Sequence, residues 1–352
     1  MPKKVIVVGA GIIGASLAYH LAKAGALVTV IDALPKPGGV ATPNTWGWIN
    51  ASYFNPESYA KLRMRSMQVW RALSSVSDLK VNWCGSLLWD VPAHELHKFE
   101  KQHLAWGYEV QLLDREGIKR VEPTLIDPPE VVAYCPEEGV IEPDAAVRGF
   151  MHAAIALGAQ LLNSKDVRGL ELRSGHVVGV QTEQGLLEAD EVVIAAGVGS
   201  SKLLNSINFA LALKPSAALV VYSKPTAQLL NTMIIAPGME LRQDLTGRII
   251  IATDLAHGQS PGEQAHSEIQ KIARFLHGAE NLELERFAIG HRPMPEDGFP
   301  LVGRVSSIEG LYVAVTHSGI TLAPAIGAFG AEEILNDHRN ALLKPYHPDR
   351  LI

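Results

Sequence analysis

The chain has 352 residues, 47% of them apolar and 19% charged, which is enough apolar material for a sizeable core and excludes general disorder. Its length suits two or three ordinary domains or one large bilobal enzyme. Thirty-one Lys and Arg against 37 Asp and Glu leave a net charge of −6, which offers nucleic acid no basic field.

Cys84 and Cys135 are the only cysteines and form no CxxC pair, so neither a disulfide framework nor a zinc knuckle is indicated. A reducing, cytoplasmic setting fits them, and no metal is expected. The opening run MPKKVIVVGAGIIGASLAYHLAKAGALVTVI mimics a signal peptide or membrane anchor. Three closely spaced glycines, then His20 and Lys23, interrupt it too early for a span, so a buried strand and helix are expected instead. No other stretch reads as an integral membrane segment. Peripheral association with the inner membrane stays open.

Lys4–Val8 is a β-branched run suited to a strand buried on both faces. GAGIIG follows, with Gly9, Gly11 and Gly14 in G-x-G-x-x-G spacing around Ile12 and Ile13. Residues 15–24 read as a helix closed by Gly25, and Leu27–Ile31 as a second strand ending at Asp32. Each part has a physical job. Gly9 permits the tight turn, Gly11 lets backbone approach a pyrophosphate, and Gly14 lets the helix pack closely on the strand. The helix N-terminus offers free N–H groups and a positive dipole end. Asp32 can accept from both ribose hydroxyls, and its charge repels a 2′-phosphate. The dinucleotide is therefore NAD or FAD rather than NADP.

Residues 33–57, ALPKPGGVATPNTWGWINASYFNPE, form a long loop rich in Gly, Pro, Asn and Trp, followed by an amphipathic helix at 58–73. PAHELHKFEKQH reads as another amphipathic helix. His94 and His97 share a face there, but the pattern is not HExxH, and a solvated face carrying His94, His97 and His103 is expected. A helix entered near Asp144 and closed by Gly158 precedes a three-stranded meander with turns at RSGH and EQG. Residues 191–195 then form a buried strand ending at AAG, with Ala196 and Gly197 returning to the nucleotide. ALVVYSKP and GRIIIATD read as strands, and EIQKIARFLHGAE as an ordinary helix. In GHRPMPEDGFPLVG, Arg292 sits among prolines, either as an anion clamp or as a turn residue paired with Glu296 or Asp297.

Taken together, VIVVGAGIIGASLAYHLAKAG, GGVATPNTWGWI, EEGVIEPDAAVRGF, VVIAAGVGS, GHRPMPEDGFPLVG and GLYVAVTHSGITLAP resemble the D-amino-acid oxidase and glycine oxidase family of FAD-dependent amine-oxidising enzymes. The resemblance covers nearly the whole chain. It implies an α/β, Rossmann-type FAD-binding domain at residues 1–80, 143–212 and 288–352. A smaller, discontinuous α+β substrate domain is implied at 81–142 and 213–287. It further implies that Asp32 meets the adenosine ribose, that the loop with Thr42 and Gly47 runs beside the cofactor, and that the Val167 backbone meets the adenine. His317, Ser318, Gly319, Ile320 and Thr321 open the last helix, whose dipole faces the flavin pyrimidine edge. The early loop has no histidine and the C-terminal third no cysteine, so the FAD is expected to be non-covalent.

Arg292 matches the arginine that binds the substrate carboxylate in such enzymes, and a guanidinium fork suits that task. It and His317 are assigned to the catalytic centre, with no side chain expected to be an indispensable base. Trp46 and Trp48 either wall the substrate channel or pack the loop. Tyr222, Met239, Arg242 and His257 lie in the roof, where strand alternation leaves each free to face the pocket or its far side. Arg242 is the rival to Arg292 for the carboxylate.

The expected activity is oxidation of the C–N bond of a small amino or imino acid by hydride transfer to flavin N5, giving an imine. Glycine, a D-amino acid, an N-alkyl glycine and a proline-like acid all fit. The alternatives are a flavin-dependent 2-hydroxy acid dehydrogenase and an RNA-modifying flavoprotein, the latter disfavoured by the acidic charge. The electron acceptor is dioxygen, a quinone or another carrier. An oligomer is left open.

Overall fold

The computed structural model describes residues 1–53, 55–75, 79–214 and 216–351. Two large sheets organise the chain. In the six-stranded sheet, Lys4–Val8 lies between Glu191–Ile194 and Leu27–Ile31, all parallel. Gln160–Leu162 extends one side, while Leu311–Val315 and the antiparallel Leu301–Arg304 extend the other.

The apolar run at the N-terminus serves two cores at once. Val5 and Val7 join a cluster with residues of the helices Ile12–Lys23, Pro143–Ala156 and Gly319–Asn336. Ile6 and Val8 turn the other way, to Val167, Leu170, Val177 and Val180 of the meander. Period-two alternation between two covered faces explains a run that is apolar at every position. Each such buried side chain stabilises the fold by about 1.5–3 kcal/mol. The meander comprises Val167–Arg173, His176–Thr182 and Gly185–Glu188, as expected.

The eight-stranded sheet runs in the order Leu284–His291, Ala217–Ser223, Ile249–Asp254, Met239–Gln243, Met233–Ala236, Ser86–Leu88, Val131–Cys135, Gln111–Asp114. Its only parallel pair among the described residues joins Met233–Ala236 to Ser86–Leu88. One face packs on helix Pro261–Ala273 through Leu219, Val221, Ile251, Ile269 and Ile272. The other face looks across at the nucleotide-binding elements. Residues 288–291 belong to this sheet, so the expected cut between residues 287 and 288 falls inside one of its strands.

Two helix boundaries and the burial of one histidine differ from expectation. The first helix begins at Ile12, not at residue 15, because Gly11 is its N-cap and the glycine motif itself forms the first turn. The helix read in EIQKIARFLHGAE starts earlier, at Pro261. Ser260 accepts from the Glu263 N–H while the Glu263 carboxylate takes the Ser260 N–H, a capping box. It ends at Ala273, after which the chain turns. His103 is the third difference: it is buried, with Nδ1 2.8 Å from the Phe99 carbonyl, whereas His94 and His97 are exposed as read.

Candidate active site

A cleft of about 1010 Å³ runs between the two sheets. At its first end lies the glycine motif. Gly9 has φ +105°, and a Cβ there would stand 2.5 Å from the Ala195 carbonyl oxygen, so only glycine fits. Gly11, Ile12 and Ile13 line the cleft, and Thr42 Oγ1 accepts from the Ile12 N–H at 3.2 Å. Gly14 does not line it: its absent Cβ would lie 1.9 Å from the Gly9 carbonyl oxygen, so it serves helix–strand packing.

Asp32 closes its strand at 8% exposure and is fixed by two backbone donors, Ala10 N–H at 2.6 Å and Leu34 N–H at 2.8 Å, one to each oxygen. Each oxygen keeps a lone pair for a ribose hydroxyl. Val167, Ala196 and Gly197 line the same end.

The last helix opens beside the first. Ser318 is its N-cap without a side-chain cap, and Ser318, Gly319, Ile320 and Thr321 all line the cleft. A Cβ on Gly319 would meet Ile12 Cγ2 at 3.3 Å, so two helix N-termini lie side by side with first-turn N–H groups at the cavity. His317 precedes this turn. Burial, then the charges of Arg63 and Arg292, bring its pKa down to about 4, so the imidazole is neutral at physiological pH. Arg63 Nη1 donates to Ser318 Oγ at 2.9 Å, leaving the hydroxyl proton for His317 Nε2 at 3.0 Å. The ring proton then belongs on Nδ1, which is buried without a hydrogen-bond partner among the described residues, as is Thr316 Oγ1.

Arg63 escaped the sequence reading. It is 6% exposed, and its Nε–H donates to the Asn50 carbonyl at 2.9 Å, with Nη2 on Asn50 Oδ1. The signal was available: Tyr59, Arg63, Ser66, Met67 and Trp70 share the buried face of helix Glu57–Ala72. A charged residue on such a face needs partners.

Arg292 lies just past strand Leu284–His291, with its backbone N–H on the Ser216 carbonyl at 2.8 Å. Its Nε–H donates to Ser216 Oγ at 2.9 Å and Nη2 to Asp254 Oδ1 at 3.0 Å, while Nη1 makes no hydrogen bond among the described residues. The ion-pair partner is Asp254 rather than Glu296 or Asp297. Asp297 pairs with Arg350 instead. Trp46 and Trp48 both line the cleft with rings 5.2 Å apart, and Met239 lines it too.

Besides Gly14, four expected residues fall outside the lining. Arg242 is 2% exposed and outside the lining, with Nη1 2.6 Å from Glu142 Oε1 and Nε on the Trp46 carbonyl, so its guanidinium is turned away from a substrate in this cleft. Tyr222 is buried under the guanidinium of Arg286, 3.5 Å from its ring. Both are on the correct face of the sheet, since each is two residues beyond a lining residue, Glu240 and Val220, but the cleft has ended by then. His257 is exposed in a turn. Gly47 has φ +84°, and a Cβ there would lie 2.2 Å from the Ile141 carbonyl oxygen. It allows a close backbone approach and does not face the cavity.

A Rossmann-type half with two helix N-termini at the cavity, a buried acid closing the second strand and a roofed cleft defines a dinucleotide-dependent oxidoreductase. A family model described as FAD dependent oxidoreductase (DAO) matches residues 4–333. The glycine oxidase of Pseudomonas putida is 27% identical, over 92% of each chain. An uncharacterized oxidoreductase of Bacillus subtilis, YurR, is also 27% identical, over 98% of each. Among solved structures, glycine oxidase from Bacillus cereus has a TM-score of 0.86 at 25% identity, with 97% of each chain covered. L-proline dehydrogenase from P. horikoshii has 0.89 at 24%, covering 100% of this chain and 98% of that one.

The chain belongs to the DAO family of FAD-dependent oxidoreductases. The residues present fit that cofactor. Gly11 leaves room at the pyrophosphate end, Asp32 has lone pairs for the ribose, and the unpartnered Thr316 Oγ1 and His317 Nδ1 stand where the last helix begins. Cys84 and Cys135 lie away from the cleft. No helix among the described residues is long and apolar enough to cross a membrane.

Proposed function

We propose that the protein oxidises the C–N bond of a small amino or imino acid, whose carboxylate is held by Arg292, and releases an imine that water hydrolyses to an oxo acid. The observation that carries this reading is an arginine on the cleft wall with an uncommitted Nη1, beside the cofactor end of the same cavity. Bound FAD supplies the two-electron acceptor. The protein supplies position. Pro293 confines Arg292 to extended backbone, Ser216 and Asp254 fix two of its donors, and the remaining N–H groups form the carboxylate fork. Orientation of this kind lowers a barrier by up to about 7–11 kcal/mol.

His317 donates from Nδ1 and stays uncharged, so it orients and does not act as an acid. The first-turn N–H groups of the last helix favour the negative charge that reduction brings to the pyrimidine edge. In this reading residues 81–142 and 213–291 form the substrate half and the remainder the FAD half, with FAD bound non-covalently. The two unpaired cysteines suit a reducing, cytoplasmic compartment.

The test is anaerobic mixing with a panel of amino, imino and 2-hydroxy acids, read as loss of the oxidised-flavin absorbance, then exposure to air. Bleaching by amino or imino acids is expected. Bleaching by hydroxy acids alone, or by nothing, sinks the reading. Rapid return of colour in air marks dioxygen as the acceptor, and slow return marks a quinone or another carrier.

A further inference from the structure

The cleft-facing side of the eight-stranded sheet carries a row of alternate residues from neighbouring strands. Ala218, Ala252 and Gly290 make its floor small, and Ile235 makes it apolar. Register aligns Ala218 with Asp254 and Gly290, and Glu240 with Ala252 and Ile235. Trp89 donates its N–H to the Ile235 carbonyl at 2.9 Å, which brings Asp90 to the same part of the wall. Three carboxylates, Asp90, Glu240 and Asp254, therefore face the cavity beside one arginine.

Among the described residues only Asp254 of the three forms an ion pair, with Arg292 at the exposed mouth, although the charge of Arg292 also reaches Glu240. Glu240 makes no hydrogen bond or ion pair among the described residues, although it is more than half buried. The only side chain that Asp90 meets among the described residues is Tyr53, whose hydroxyl lies 3.4 Å from Oδ2, and no hydrogen bond reaches its buried Oδ1 there. Burial raises the pKa of both carboxyls; at Glu240 the charges of Asp90 and, less, Asp254 add to burial while Arg292 opposes them, and the value reaches about 7. Partly buried carboxylates that no cation contacts are costly unless one joins them.

A substrate with a neutral side chain brings one carboxylate, for Arg292, and one amine. The reacting nitrogen has to be uncharged for oxidation, so two acids gripping it would hold it in the unreactive form. An apolar side chain would press against carboxylates and strip their water. A long cationic side chain meets neither objection, and the small floor leaves room for its stem.

We propose that the substrate is an amino or imino acid with a cationic side chain, whose ammonium or guanidinium is received by Asp90 and Glu240 while Arg292 holds the carboxylate. This rests on the amine-oxidising reading above. The experiment has two arms, both on the FAD-loaded enzyme. In the first, both enantiomers of arginine and lysine are compared with the neutral isosteres citrulline and norleucine by anaerobic bleaching. A basic-to-neutral ratio in kcat/KM of about 10–100 is expected from a hydrogen-bonded charge. Asp90→Asn or Glu240→Gln should cut that ratio at least about tenfold, the lower end of the same range.

In the second arm, 5-aminopentanoate and pentanoate, which lack an α-amine, are titrated and binding is read from the flavin spectrum. The amino compound should bind at least about tenfold tighter, by the same charge argument. Ratios near one in both arms, or ratios that survive both substitutions, overturn the cationic pocket. Tighter binding of 5-aminopentanoate with no bleaching by any acid overturns the oxidation reading and supports the pocket. Bleaching by neutral acids with equal binding of the two probes does the reverse.

Discussion

Arg292 follows strand Leu284–His291 with part of its fork committed and part open, so on the proposed reading its removal takes away charged hydrogen bonds to substrate without touching the cofactor end. Arg292→Met should raise KM for carboxylate substrates by about 10- to 150-fold, the equivalent of 1.5–3 kcal/mol, with flavin content unchanged. Steady-state kinetics and the absorbance ratio of purified enzyme check both halves. Glu240 gives a pH prediction. Its folded pKa of about 7 lies above the free value of 4.5, so the native state keeps a proton that the unfolded chain releases. Its favourable contribution is complete below about pH 4.5 and is lost as pH rises through 7, a change of about 3 kcal/mol. Urea unfolding of the apoprotein should therefore show a smaller drop in stability from pH 5 to pH 8 in Glu240→Gln than in the parent. His317 has the opposite sign: its pKa is depressed, so its contribution is present above pH 6.5 and lost as pH falls towards 4. At this scale the sequence was readable where a motif fixes backbone and side chain together: GHRP pointed to Arg292, which does line the cleft. It misled at Arg242 and Tyr222, because alternation tells which face a residue occupies but not where along the strand the cavity stops.

The first helix, Ile12–Lys23, depends on Gly11 and Gly14 for different reasons, and this separates two substitutions three residues apart. Gly14→Ala drives a Cβ into the Gly9 carbonyl, which is backbone and cannot give way locally. A loss on the order of 3 kcal/mol in apoprotein stability is expected from such overpacking, read from the urea midpoint. At Gly11 an added methyl meets only Thr42 Oγ1 at 3.5 Å and the Gly38 carbonyl at 3.9 Å, both ordinary contacts. Gly11→Ala should fold within about 1 kcal/mol of the parent yet bind FAD at least about tenfold more weakly, since the methyl enters the space that pyrophosphate needs. Equal flavin affinity for this variant would show that the pyrophosphate lies elsewhere. The strand–helix–strand unit around these glycines was legible because turn, helix and terminal acid are contiguous. The order of the eight-stranded sheet was not, because pairs such as Ser86 with Met233 join segments that no local pattern connects.

Across the whole molecule, the cleft is held open by polar ties between its two walls. Glu138 is fully buried and accepts from Trp48 Nε1 at 2.9 Å, the Ser52 N–H at 3.2 Å, Ser86 Oγ at 2.6 Å and Tyr108 OH at 2.9 Å. These donors come from the cofactor-side loop and from the eight-stranded sheet with the chain leading into it, so one carboxylate pins both. Glu138→Ala leaves several buried donors unmatched at about 1–3 kcal/mol each, and a loss of at least about 3 kcal/mol in unfolding free energy is expected. Nothing in the sequence marked this glutamate, since a buried acid and an exposed one look alike until their donors, drawn from distant segments, are assembled. The division of labour that Glu138 ties together has a consequence for how such enzymes diverge. Groups that would touch phosphate, ribose and pyrimidine edge come from the six-stranded sheet, its helices and the loop beside them, while the opposing wall is a row of side chains on another sheet. Exchanging two or three members of that row alters which acid fits, and no atom of the nucleotide half has to shift. Substrate preference can therefore drift by a few mutations while flavin dependence is inherited intact.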